Sequence, residues 1–473
     1  MKIAVLVVAY NAEKTLEQVL DRIQPDMVAR ISSVIVCDDS STDNTFNVAL
    51  EYRQTHSQLP LQIERNPTNL GYGGNQKTGY RIAQDIGADI VVLLHGDGQY
   101  APEILSDIVA PFEDKTVDAV FGSRMMTPGA ARAGGMPLYK YYGNKILTRC
   151  ENMLGGAQLS EWHSGYRAYR MSTLSQLSLN KNSDGFDFDT QIILQLLERK
   201  AMIIEIPIPT YYGDEICYVD GVKYARQIMW HTLKFRLEMM GFGSTRSSHT
   251  VAYEHKADAM SSHGQLVTHI ATRPTGVLVD LGCSDGTLTS EFKKQGHHVI
   301  GVDLSHHAGI DENVDAFIQC NLDDGLPGGL PDNIDIVVCA DVLEHVRNPQ
   351  AILEQLSSKM NRGGIVIASI PNFGHWYPRI RTALGLFDYD RRGILDDTHV
   401  RFFTRRSFER TARAAGYNVK RIGYTGLPFD IASRGGSGTL LSILLKPLGI
   451  IDHVLVKARP QLFAYQFLYE LRP

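Results

Sequence analysis

The chain contains 473 residues, of which 44% are hydrophobic and 21% are charged, and its formal net charge is −5. This length is too great for one ordinary hydrophobic core and predicts two large domains or about three smaller ones. The mild acidity argues against a nucleic-acid partner, because proteins that track phosphates are usually basic overall.

Residues 1–242 are expected to form an α/β domain. Short apolar runs predict strands at 2–8, 32–37, 60–65, 89–94 and 117–123. Helical patterns lie between them, at 13–23, 43–55, 74–86 and 102–112. This alternation predicts a mostly parallel sheet that helices cover on both faces.

Polar residues follow three of these strands, at the ends where open α/β sheets bind nucleotides. Ala9-Tyr10-Asn11 follows the first strand, Asp38-Asp39 ends the second, and Asp97 and Gln99 follow the fourth. A nucleotide-sugar needs contacts to its base and ribose, which Tyr10 and the two adjacent acids can provide. It also needs a metal ion to neutralise the leaving diphosphate, and Asp97 is suited to Mg²⁺ or Mn²⁺.

Five segments together resemble the inverting GT-A glycosyltransferases of family 2, and most closely the dolichol- or polyprenyl-phosphate sugar transferases. They are Ala9-Tyr-Asn11, Cys37-Asp-Asp-Ser-Ser-Thr-Asp43, Asn69-Leu-Gly-Tyr-Gly-Gly-Asn75, Gly96-Asp-Gly-Gln99 and Ser164-Gly-Tyr-Arg-Ala-Tyr169. The resemblance spans about residues 1–240 and implies a GT-A nucleotide-sugar fold, with Asp39 at the nucleoside and Asp97 at the metal. The family's common Asp-x-Asp reads His95-Gly96-Asp97 here, so His95 is either a metal ligand or a packing residue.

Positive charge is concentrated after the fifth predicted strand. Between Gly122 and Arg170 two acids, Glu151 and Glu161, accompany seven basic residues: Arg124, Arg132, Lys140, Lys145, Arg149, Arg167 and Arg170. This excess suits capture of a phosphate, either of the nucleotide-sugar, where we place Arg124, or of a lipid acceptor, where we place Arg167. The alternative is an ordinary solvated face.

The acceptor decides whether this reaction needs a base. Glu161 is our candidate for a hydroxyl acceptor, such as a glycan, whereas an ionised polyprenyl phosphate needs no base. In the same region Leu138, Tyr142, Ile146, Cys150 and Met153 share one helical stripe. We expect this stripe in the core rather than at a membrane surface.

Residues 243–263 are polar and serine-rich, and we interpret them as a linker to a second domain at 264–473. A new α/β series has strands near 276–281, 297–302, 315–320, 334–340 and 364–370. Thr404 is then expected to cap a helix that stops at Gly416.

The first turn of this second series, Asp280-Leu-Gly-Cys-Ser-Asp-Gly286, lacks the G-x-G-x-x-G pattern of a dinucleotide site. Gly282 and Gly286 allow the backbone to approach a ligand closely, as S-adenosylmethionine requires. Asp303 stands where such sheets place the acid that binds ribose hydroxyls, and Asn321 can meet the adenine edge.

Together with Val302-Asp303, Asp335-Ile-Val-Val-Cys-Ala-Asp-Val-Leu-Glu-His345 and Pro371-Asn372, this turn resembles the class I S-adenosylmethionine-dependent methyltransferases. The resemblance covers about residues 263–473 and implies a Rossmann-like fold. It implies a cofactor site formed by Asp280, Gly282, Gly286 and Asp303, to which we add Asn321 and Asp341.

Four further residues lie near the expected methyl acceptor. Glu344 and His345 follow the fourth strand and either act as catalytic acid and base or merely begin a helix. His399 and Arg401 are expected in the acceptor wall, although a structural role is the better expectation for His399.

The leading hypothesis is a bifunctional enzyme of cell-surface polysaccharide or glycolipid biosynthesis. It would transfer a sugar to a polyprenyl phosphate or glycan, and a methyl group to a glycan-type acceptor. The alternative is a methyltransferase whose N-terminal half is a non-catalytic module that binds glycan or nucleotide. A nucleotidyltransferase is less favoured, since no Gly-rich, Lys-containing phosphate loop precedes the first helix.

We expect a cytoplasmic location, with any membrane contact peripheral and at the inner face. The first strand starts at Lys2, which leaves no room for a secretory signal. The most apolar late stretch, 440–451, is interrupted by Lys446 and Pro447 and is shorter than the ~18 residues that a spanning helix needs. The six cysteines form no C-x-x-C pair and are expected as reduced thiols.

Overall fold

The computed structural model describes residues 1–211, 220–239, 261–390, 393–427 and 449–473. The chain divides into two compact units, which meet in sequence at Arg236 and Leu237. Most of the predicted linker 243–263 and of the apolar stretch 440–451 lies outside the described residues. The predicted limits 1–242 and 264–473 stay predictions, although one helix begins at Ser262, inside the expected linker.

The N-terminal unit is built on a seven-stranded sheet. Its strands are β1 (Ile3–Ala9), β2 (Ile31–Asp38), β3 (Leu61–Arg65), β4 (Ile90–His95), β5 (Ala119–Ser123), β6 (Arg167–Arg170) and β7 (Ile203–Pro207). The order is β3-β2-β1-β4-β6-β5-β7, and β6 is antiparallel to both of its neighbours. The five predicted strands are confirmed, and β6 and β7 are additional.

Helices connect these strands. They are α1 (Leu16–Asp21), α2 (Pro25–Val28), α3 (Thr45–Thr55), α4 (Gly71–Asp85), α5 (Leu105–Val109), α6 (Ala130–Ala133), α7 (Leu138–Gly155), α8 (Met171–Leu174), α9 (Phe188–Glu198) and α10 (Gly221–Met239). Single 3₁₀ turns occur at Pro102–Ile104, Ala110–Glu113 and Leu179–Lys181.

Strand β1 shows why an apolar run becomes a central strand. All seven of its residues are buried. Successive side chains of a strand point to opposite faces. Ile3, Val5 and Val7 therefore pack into one hydrophobic core, while Leu6 and Val8 pack into the other.

The C-terminal unit has a second seven-stranded sheet, in the order β10-β9-β8-β11-β12-β14-β13. Its strands are β8 (Val277–Leu281), β9 (His298–Asp303), β10 (Ala316–Gln319), β11 (Ile334–Ala340), β12 (Met360–Pro371), β13 (Asn418–Thr425) and β14 (Gln466–Arg472). Strand β14 is antiparallel to β12 and β13, and the other pairs are parallel. The predicted α/β class is confirmed for both units.

The helices of this unit are α11 (Ser262–Ile270), α12 (Thr287–Lys294), α13 (Ile310–Asn313), α14 (Pro349–Lys359), α15 (Trp376–Ala383), α16 (Arg405–Ala414) and α17 (Pro460–Phe463). Residues 449–458 are also helical, and Leu322–Asp324 form a 3₁₀ turn. The predicted cap is confirmed, because the Thr404 hydroxyl accepts a hydrogen bond from the Ser407 amide.

Within the described ranges, no helix combines the length and the apolar character needed to cross a membrane. The described cysteines are all free thiols, and Cys37, Cys283 and Cys339 are buried.

Candidate active sites

The carboxyl ends of β2, β1 and β4 meet at one edge of the N-terminal sheet. Ala9 pairs with Asp38, and Val8 pairs with His95. Strand β1 therefore brings together the three segments that the sequence singled out. The strand order reverses between β1 and β4, which is where open α/β sheets form a ligand crevice.

Asp39 is fixed at this edge by the first turn of α4. Its Oδ1 accepts hydrogen bonds from the Leu70 amide at 2.8 Å and from Asn66 Nδ2 at 2.8 Å, and its Oδ2 accepts from the Gly71 amide at 2.9 Å. A carboxylate is favoured there, because the amides at a helix N-terminus carry partial positive charge.

The neighbouring Asp38 is fully buried. Arg65 Nε lies 3.2 Å from its Oδ2, and the Ser41 hydroxyl donates to its Oδ1. These contacts make Asp38 a support for the β2 loop, so the predicted base or ribose contact is better assigned to Asp39.

The loop after β1 presents Tyr10 to solvent, with 39% of its surface exposed. Asn11 adopts a positive φ of 51°, and its Oδ1 accepts from the Thr42 amide at 2.9 Å. Asn11 thus ties the β1 loop to the β2 loop, and Tyr10 remains the residue that can cover a nucleobase.

His95 belongs to a hydrogen-bonded relay. Its Nε2 lies 3.1 Å from the Tyr72 hydroxyl, which donates to Asp189 Oδ2 at 3.0 Å. Since the tyrosine proton goes to the carboxylate, Nε2 of His95 must carry a proton and donate. Burial lowers the pKa of His95 and favours the neutral ring. With Nε2 bonded to Tyr72, only Nδ1 could reach a metal ion, and the ring also packs edge-on against Tyr72 and Tyr100, which favours the packing interpretation of His95.

Asp97 is exposed two residues beyond β4. Its Oδ1 accepts from the Gln99 amide at 3.0 Å across a turn in which Gly98 has a φ of 78°. A solvent-accessible carboxylate at a strand end fits the oxygen ligands that Mg²⁺ and Mn²⁺ prefer.

Arg124 and Glu161 form a buried ion pair. Glu161 accepts from the Arg124 amide at 2.7 Å, from Arg124 Nε at 3.0 Å and from Asn144 Nδ2 at 2.7 Å. Burial would raise the pKa of Glu161, but the charge and hydrogen bonds of Arg124 outweigh it and hold the pKa below its usual value. A carboxylate so strongly stabilised as an anion is a poor general base.

Arg167 is 1% exposed. Its guanidinium donates to the carbonyl oxygens of Trp162 at 2.6 Å, Ser164 at 2.7 Å and Asp189 at 3.2 Å. These bonds fix the turn before β6 and give Arg167 a structural role, and its predicted contact with the acceptor stays a prediction.

Helix α7 has the opposite burial to the one expected. Its buried residues are Asn144, Thr148 and Glu151. The predicted core stripe faces out, with exposed fractions of 56% for Leu138, 59% for Tyr142 and 62% for Ile146. The core interpretation of this stripe was wrong, because the ion pair and hydrogen bonds of the 144–163 region turn the polar face inward.

In the C-terminal unit, the turn after β8 is held by backbone geometry that favours glycine. Gly282 has a φ of 72°, and a Cβ there would lie 2.5 Å from Val342 Cγ2. Gly286 has a φ of 75°, and a Cβ there would lie 2.7 Å from Ile310 Cδ1. The tight turn therefore lies directly against the segment that follows β11.

Asp303 ends β9 beside this turn. Its Oδ2 accepts from the Ser284 amide at 2.8 Å, and its Oδ1 accepts from the Ser305 amide at 3.1 Å. Each oxygen retains capacity for a further hydrogen bond, which suits a ribose diol. Asn321 is exposed two residues beyond β10, and its Oδ1 accepts from the Asp323 amide at 3.1 Å.

Asp341 is engaged on the other side of β11. Its Oδ1 accepts from Ser369 Oγ at 2.5 Å, and Gln466 Nε2 lies 2.8 Å from both of its oxygens. These contacts bind Asp341 to β12 and β14, and they make it a support for the β11 turn rather than an evident cofactor ligand.

Glu344, His345 and His399 lie together after β11. The Glu344 carbonyl oxygen accepts from the amides of Val400 at 3.0 Å and Arg401 at 2.9 Å, which anchors the 396–401 segment. Arg401 Nε and a terminal nitrogen both donate to the Arg347 carbonyl oxygen. Arg401 thus links two loops through these two nitrogens, while its side chain stays exposed, and its predicted place in the acceptor wall stays a prediction.

The two halves of the chain are similar to different families of known proteins. A family model described as glycosyl transferase family 2 matches residues 4–176, and one described as a methyltransferase domain matches residues 253–422. The UDP-N-acetylglucosamine–dolichyl-phosphate N-acetylglucosaminyltransferase of Methanococcus voltae is 30% identical over 222 residues, which are 45% of this chain and 86% of that protein.

The N-terminal half belongs to glycosyltransferase family 2. The C-terminal half is a methyltransferase domain.

Two further similarities accompany these matches. The undecaprenyl-phosphate mannosyltransferase of Micrococcus luteus is 28% identical to the glycosyltransferase domain over 209 residues, 44% of this chain and 83% of that protein. A solved structure of a SAM dependent methyltransferase from Archaeoglobus fulgidus is 16% identical, with a TM-score of 0.31, and covers 45% of this chain and 95% of its own.

Sequence reasoning missed Asp189 in the glycosyltransferase domain. Its Oδ1 accepts from Gln76 Nε2 at 3.2 Å, and its Oδ2 accepts from Tyr72. The cluster Asp184-Gly-Phe-Asp-Phe-Asp189 was the available signal, because acids so close together in a helix start usually have specific partners.

The raised pKa of Asp280 predicts that the stability of the methyltransferase domain depends on pH. Burial raises the pKa of Asp280 from 3.8 to about 7, and a hydrogen bond from Thr289 only partly offsets this. The folded state thus binds this proton more tightly than the unfolded chain. The stabilisation is complete below the unfolded pKa and is lost progressively as the pH rises from there to about 7, above which it stays constant. Asp280→Asn should avoid that loss, which amounts to as much as about 4 kcal/mol.

The measurement is unfolding of the full chain at pH 5 and pH 8, followed through the transition that S-adenosylmethionine shifts in the wild-type protein. Asp315→Asn is a control of opposite sign, because a hydrogen bond from the Val299 amide lowers the pKa of Asp315. Parallel pH profiles for the wild-type protein and Asp280→Asn would contradict the prediction.

Proposed function

We propose that the glycosyltransferase domain transfers a sugar from a nucleotide-sugar to a polyprenyl phosphate. The main support is the edge formed by Ala9, Asp39 and Asp97, which offers nucleotide contacts and a cation ligand side by side. The two relatives, which are named as transferases to dolichyl phosphate and undecaprenyl phosphate, support this acceptor.

The state of Glu161 favours a phosphate over a hydroxyl acceptor. Glu161 is bound to Arg124 and Asn144 and has a lowered pKa, so it is ill-suited to remove a proton from a hydroxyl. A phosphate is already ionised at neutral pH and needs no base. A glycan hydroxyl is the second candidate acceptor.

The chain's residues position the donor for an in-line displacement. Asp39 accepts a hydrogen bond from the nucleoside, and Tyr10 covers its base. A phosphate oxygen of the acceptor forms the bond to the anomeric carbon as the bond to the nucleoside diphosphate breaks. A Mg²⁺ or Mn²⁺ ion held by Asp97 would neutralise the charge of the diphosphate that leaves.

We also propose that the methyltransferase domain moves a methyl group from S-adenosylmethionine to a glycan-type acceptor. Its support is the turn between Gly282 and Gly286 with Asp303 beside it. This pairing of activities fits cell-surface polysaccharide or glycolipid biosynthesis at the inner face of the membrane.

Helix α7 is the surface we propose for peripheral contact with anionic lipid. Leu138, Tyr142 and Ile146 expose more than half of their surface, and Lys145 and Arg149 are exposed beside them. An apolar stripe flanked by lysine and arginine is typical of helices that lie in the membrane interface. This contact would bring the enzyme to a lipid-linked acceptor.

The double substitution Tyr142→Glu with Ile146→Glu should weaken vesicle binding by at least about tenfold, because it removes two apolar side chains from the interface. Co-sedimentation with vesicles of phosphatidylglycerol and phosphatidylcholine measures this. Ile86→Glu, at an exposed apolar position directly after α4, is the control. Equal binding by both variants would contradict the α7 surface.

The proposed function is tested by supplying purified protein with UDP-sugars or GDP-sugars, undecaprenyl phosphate, Mn²⁺ and S-adenosylmethionine. We expect nucleoside diphosphate to be released in proportion to lipid-linked sugar, and S-adenosylhomocysteine to form when a glycan acceptor is present. Methyl transfer without any turnover of nucleotide-sugars would instead favour a non-catalytic N-terminal module.

A further inference from the structure

Three side chains of the methyltransferase domain form a cluster with metal-ligand chemistry. Glu344, His345 and His399 each offer one ligand atom, and these atoms lie within 4.8 Å of one another. His399 Nε2 is 4.0 Å from Glu344 Oε1, and the two imidazole centroids are 4.7 Å apart. Two histidines and one carboxylate are a common ligand set for first-row transition metals.

The backbone orients both imidazoles. His345 Nδ1 lies 3.2 Å from the Thr398 carbonyl oxygen, and His399 Nδ1 lies 3.3 Å from the Ile394 carbonyl oxygen. A carbonyl oxygen only accepts, so each Nδ1 carries the proton and each neutral ring keeps its lone pair on Nε2. Metal-binding histidines are held in this way, with the outer N–H bonded to a carbonyl or carboxylate.

The cluster is partly buried, and its one exposed histidine leaves a route by which an ion can enter. Glu344 and His399 are 1% and 8% exposed, whereas His345 is exposed. Metal bonds of about 2.1 Å would require the ligand atoms to approach to roughly 3–3.5 Å. Rotation of the exposed His345 can bring its own nitrogen closer, and the buried pair Glu344 and His399, now 4.0 Å apart, would have to approach by about 0.5–1 Å.

The cluster adjoins the cofactor turn. Val342 stands two residues before Glu344, and its Cγ2 lies 2.5 Å from where a Cβ of Gly282 would be. The turn that carries Glu344 and His345 therefore packs against the turn assigned to S-adenosylmethionine. An ion held by this cluster would therefore lie near the turn assigned to the cofactor.

We propose that Glu344, His345 and His399 bind one divalent transition-metal ion that also holds the oxygen atoms of the methyl acceptor. Three protein ligands leave coordination positions open, which suits two adjacent hydroxyls of a sugar. This part of the inference rests on the proposed methyl transfer to a glycan. It replaces the acid–base role considered for His345, because a nitrogen bound to a metal cannot also take a proton.

Methyl transfer at this site is a single displacement at the methyl carbon. The acceptor oxygen forms a bond to the methyl carbon as the carbon–sulfur bond breaks, and the sulfur atom keeps the electron pair. S-adenosylhomocysteine is the product, and the hydroxyl proton passes to water. Coordination to the ion lowers the pKa of the hydroxyl, so the proton leaves at neutral pH.

Binding of Co²⁺ tests the site without any turnover. The full chain carrying Asp97→Asn, which removes the carboxylate proposed for the other cation, is treated with EDTA, desalted and titrated with Co²⁺. We expect one equivalent to bind, with visible absorption bands of a site that contains nitrogen ligands. His399→Gln should raise the Kd for Co²⁺ by at least about 100-fold.

His345→Gln provides a second variant at an exposed position, where misfolding is not expected, and it should also raise the Kd at least about tenfold. His298→Gln changes another exposed histidine of the same unit and should leave the Kd unchanged. Thermal shift by S-adenosylmethionine verifies that each variant is folded. Undiminished Co²⁺ binding by His345→Gln or His399→Gln would overturn the site.

Methyl transfer is measured separately with and without the ion. We expect activity on a glycan acceptor to fall after EDTA treatment and to return with Mn²⁺ or Co²⁺. If Co²⁺ binds tightly but the rate of methyl transfer is the same with and without the ion, the ion does not hold the acceptor. The proposed methyltransferase function would still stand. Absence of methyl transfer under all conditions would refute that function while the binding result stands by itself.

Discussion

Asp97→Asn is expected to reduce sugar transfer by about a thousandfold and to leave methyl transfer unchanged. The substitution would keep the turn, because an amide oxygen can still accept from the Gln99 amide. It would remove the negative charge that holds the cation against the diphosphate. A metal ion contributes several kcal/mol to such a leaving group, and about 4 kcal/mol corresponds to a thousandfold in rate.

The measurement is the initial rate of lipid-linked sugar formation over a range of Mn²⁺ concentrations. Asp107→Asn changes an exposed acid on α5 and should behave as the wild-type protein does. If Asp97→Asn retains the full rate, other residues hold the cation and Asp97 is not its ligand. If neither protein transfers sugar to any acceptor, the N-terminal half is better explained as a binding module.

Glu161→Gln is expected to lower the free energy of unfolding of the glycosyltransferase domain by about 3–5 kcal/mol. Glu161 is 2% exposed and receives the Arg124 amide, the Arg124 guanidinium and Asn144. Its replacement leaves the buried guanidinium charge without its counter-ion, which costs more than the loss of the hydrogen bonds. Denaturant unfolding followed by Trp fluorescence measures the change.

A double-mutant cycle separates the ion pair from the packing around it. Arg124→Met combined with Glu161→Leu should be less destabilised than either single substitution, because no buried charge remains unpaired. If Glu161→Gln leaves the free energy of unfolding unchanged and removes the pH dependence of sugar transfer, Glu161 is the general base after all.

The linear sequence predicted the elements whose causes are local. The apolar runs at 2–8 and 276–281 became β1 and β8, because a strand buried on both faces needs a continuous apolar segment. Gly282 and Gly286 were predicted for close approach of the backbone, and both adopt positive φ. Thr404 caps α16 through a hydrogen bond only three residues along the chain.

The sequence did not show the structural partners of residues whose partners are distant in the chain. Glu161 was the candidate base for a hydroxyl acceptor because its sequence neighbours resemble an acceptor site, and the structure adds an ion pair with Arg124, 37 residues away. Arg167 was assigned to the acceptor on charge alone, whereas the carbonyl oxygens that bind it come from a turn fixed by β6. Charge and motif indicate which contacts a side chain can make, but they do not show which hydrogen bonds and ion pairs it already forms inside the protein.

Helix α7 illustrates the same limit for packing. Periodicity showed that Leu138, Tyr142 and Ile146 share one face, but it does not say which of the two faces meets the core. Glu161 accepts a hydrogen bond from Asn144, and His163 Nε2 lies 3.1 Å from Glu151 Oε2, so the polar face of the helix meets polar partners inside the domain. Only the surrounding structure therefore reveals the apolar face as a surface.

The sequence by itself determined that this protein has two α/β domains, a family 2 glycosyltransferase and a methyltransferase, because strands, turns and their motifs depend on residues close together in the chain. The tertiary structure decided the protonation of His95, the pairing of Glu161 and the meeting of Glu344 with His399. Hydrogen bonds and ion pairs act over a few ångströms in space, and no spacing along the chain records which side chains folding brings that close.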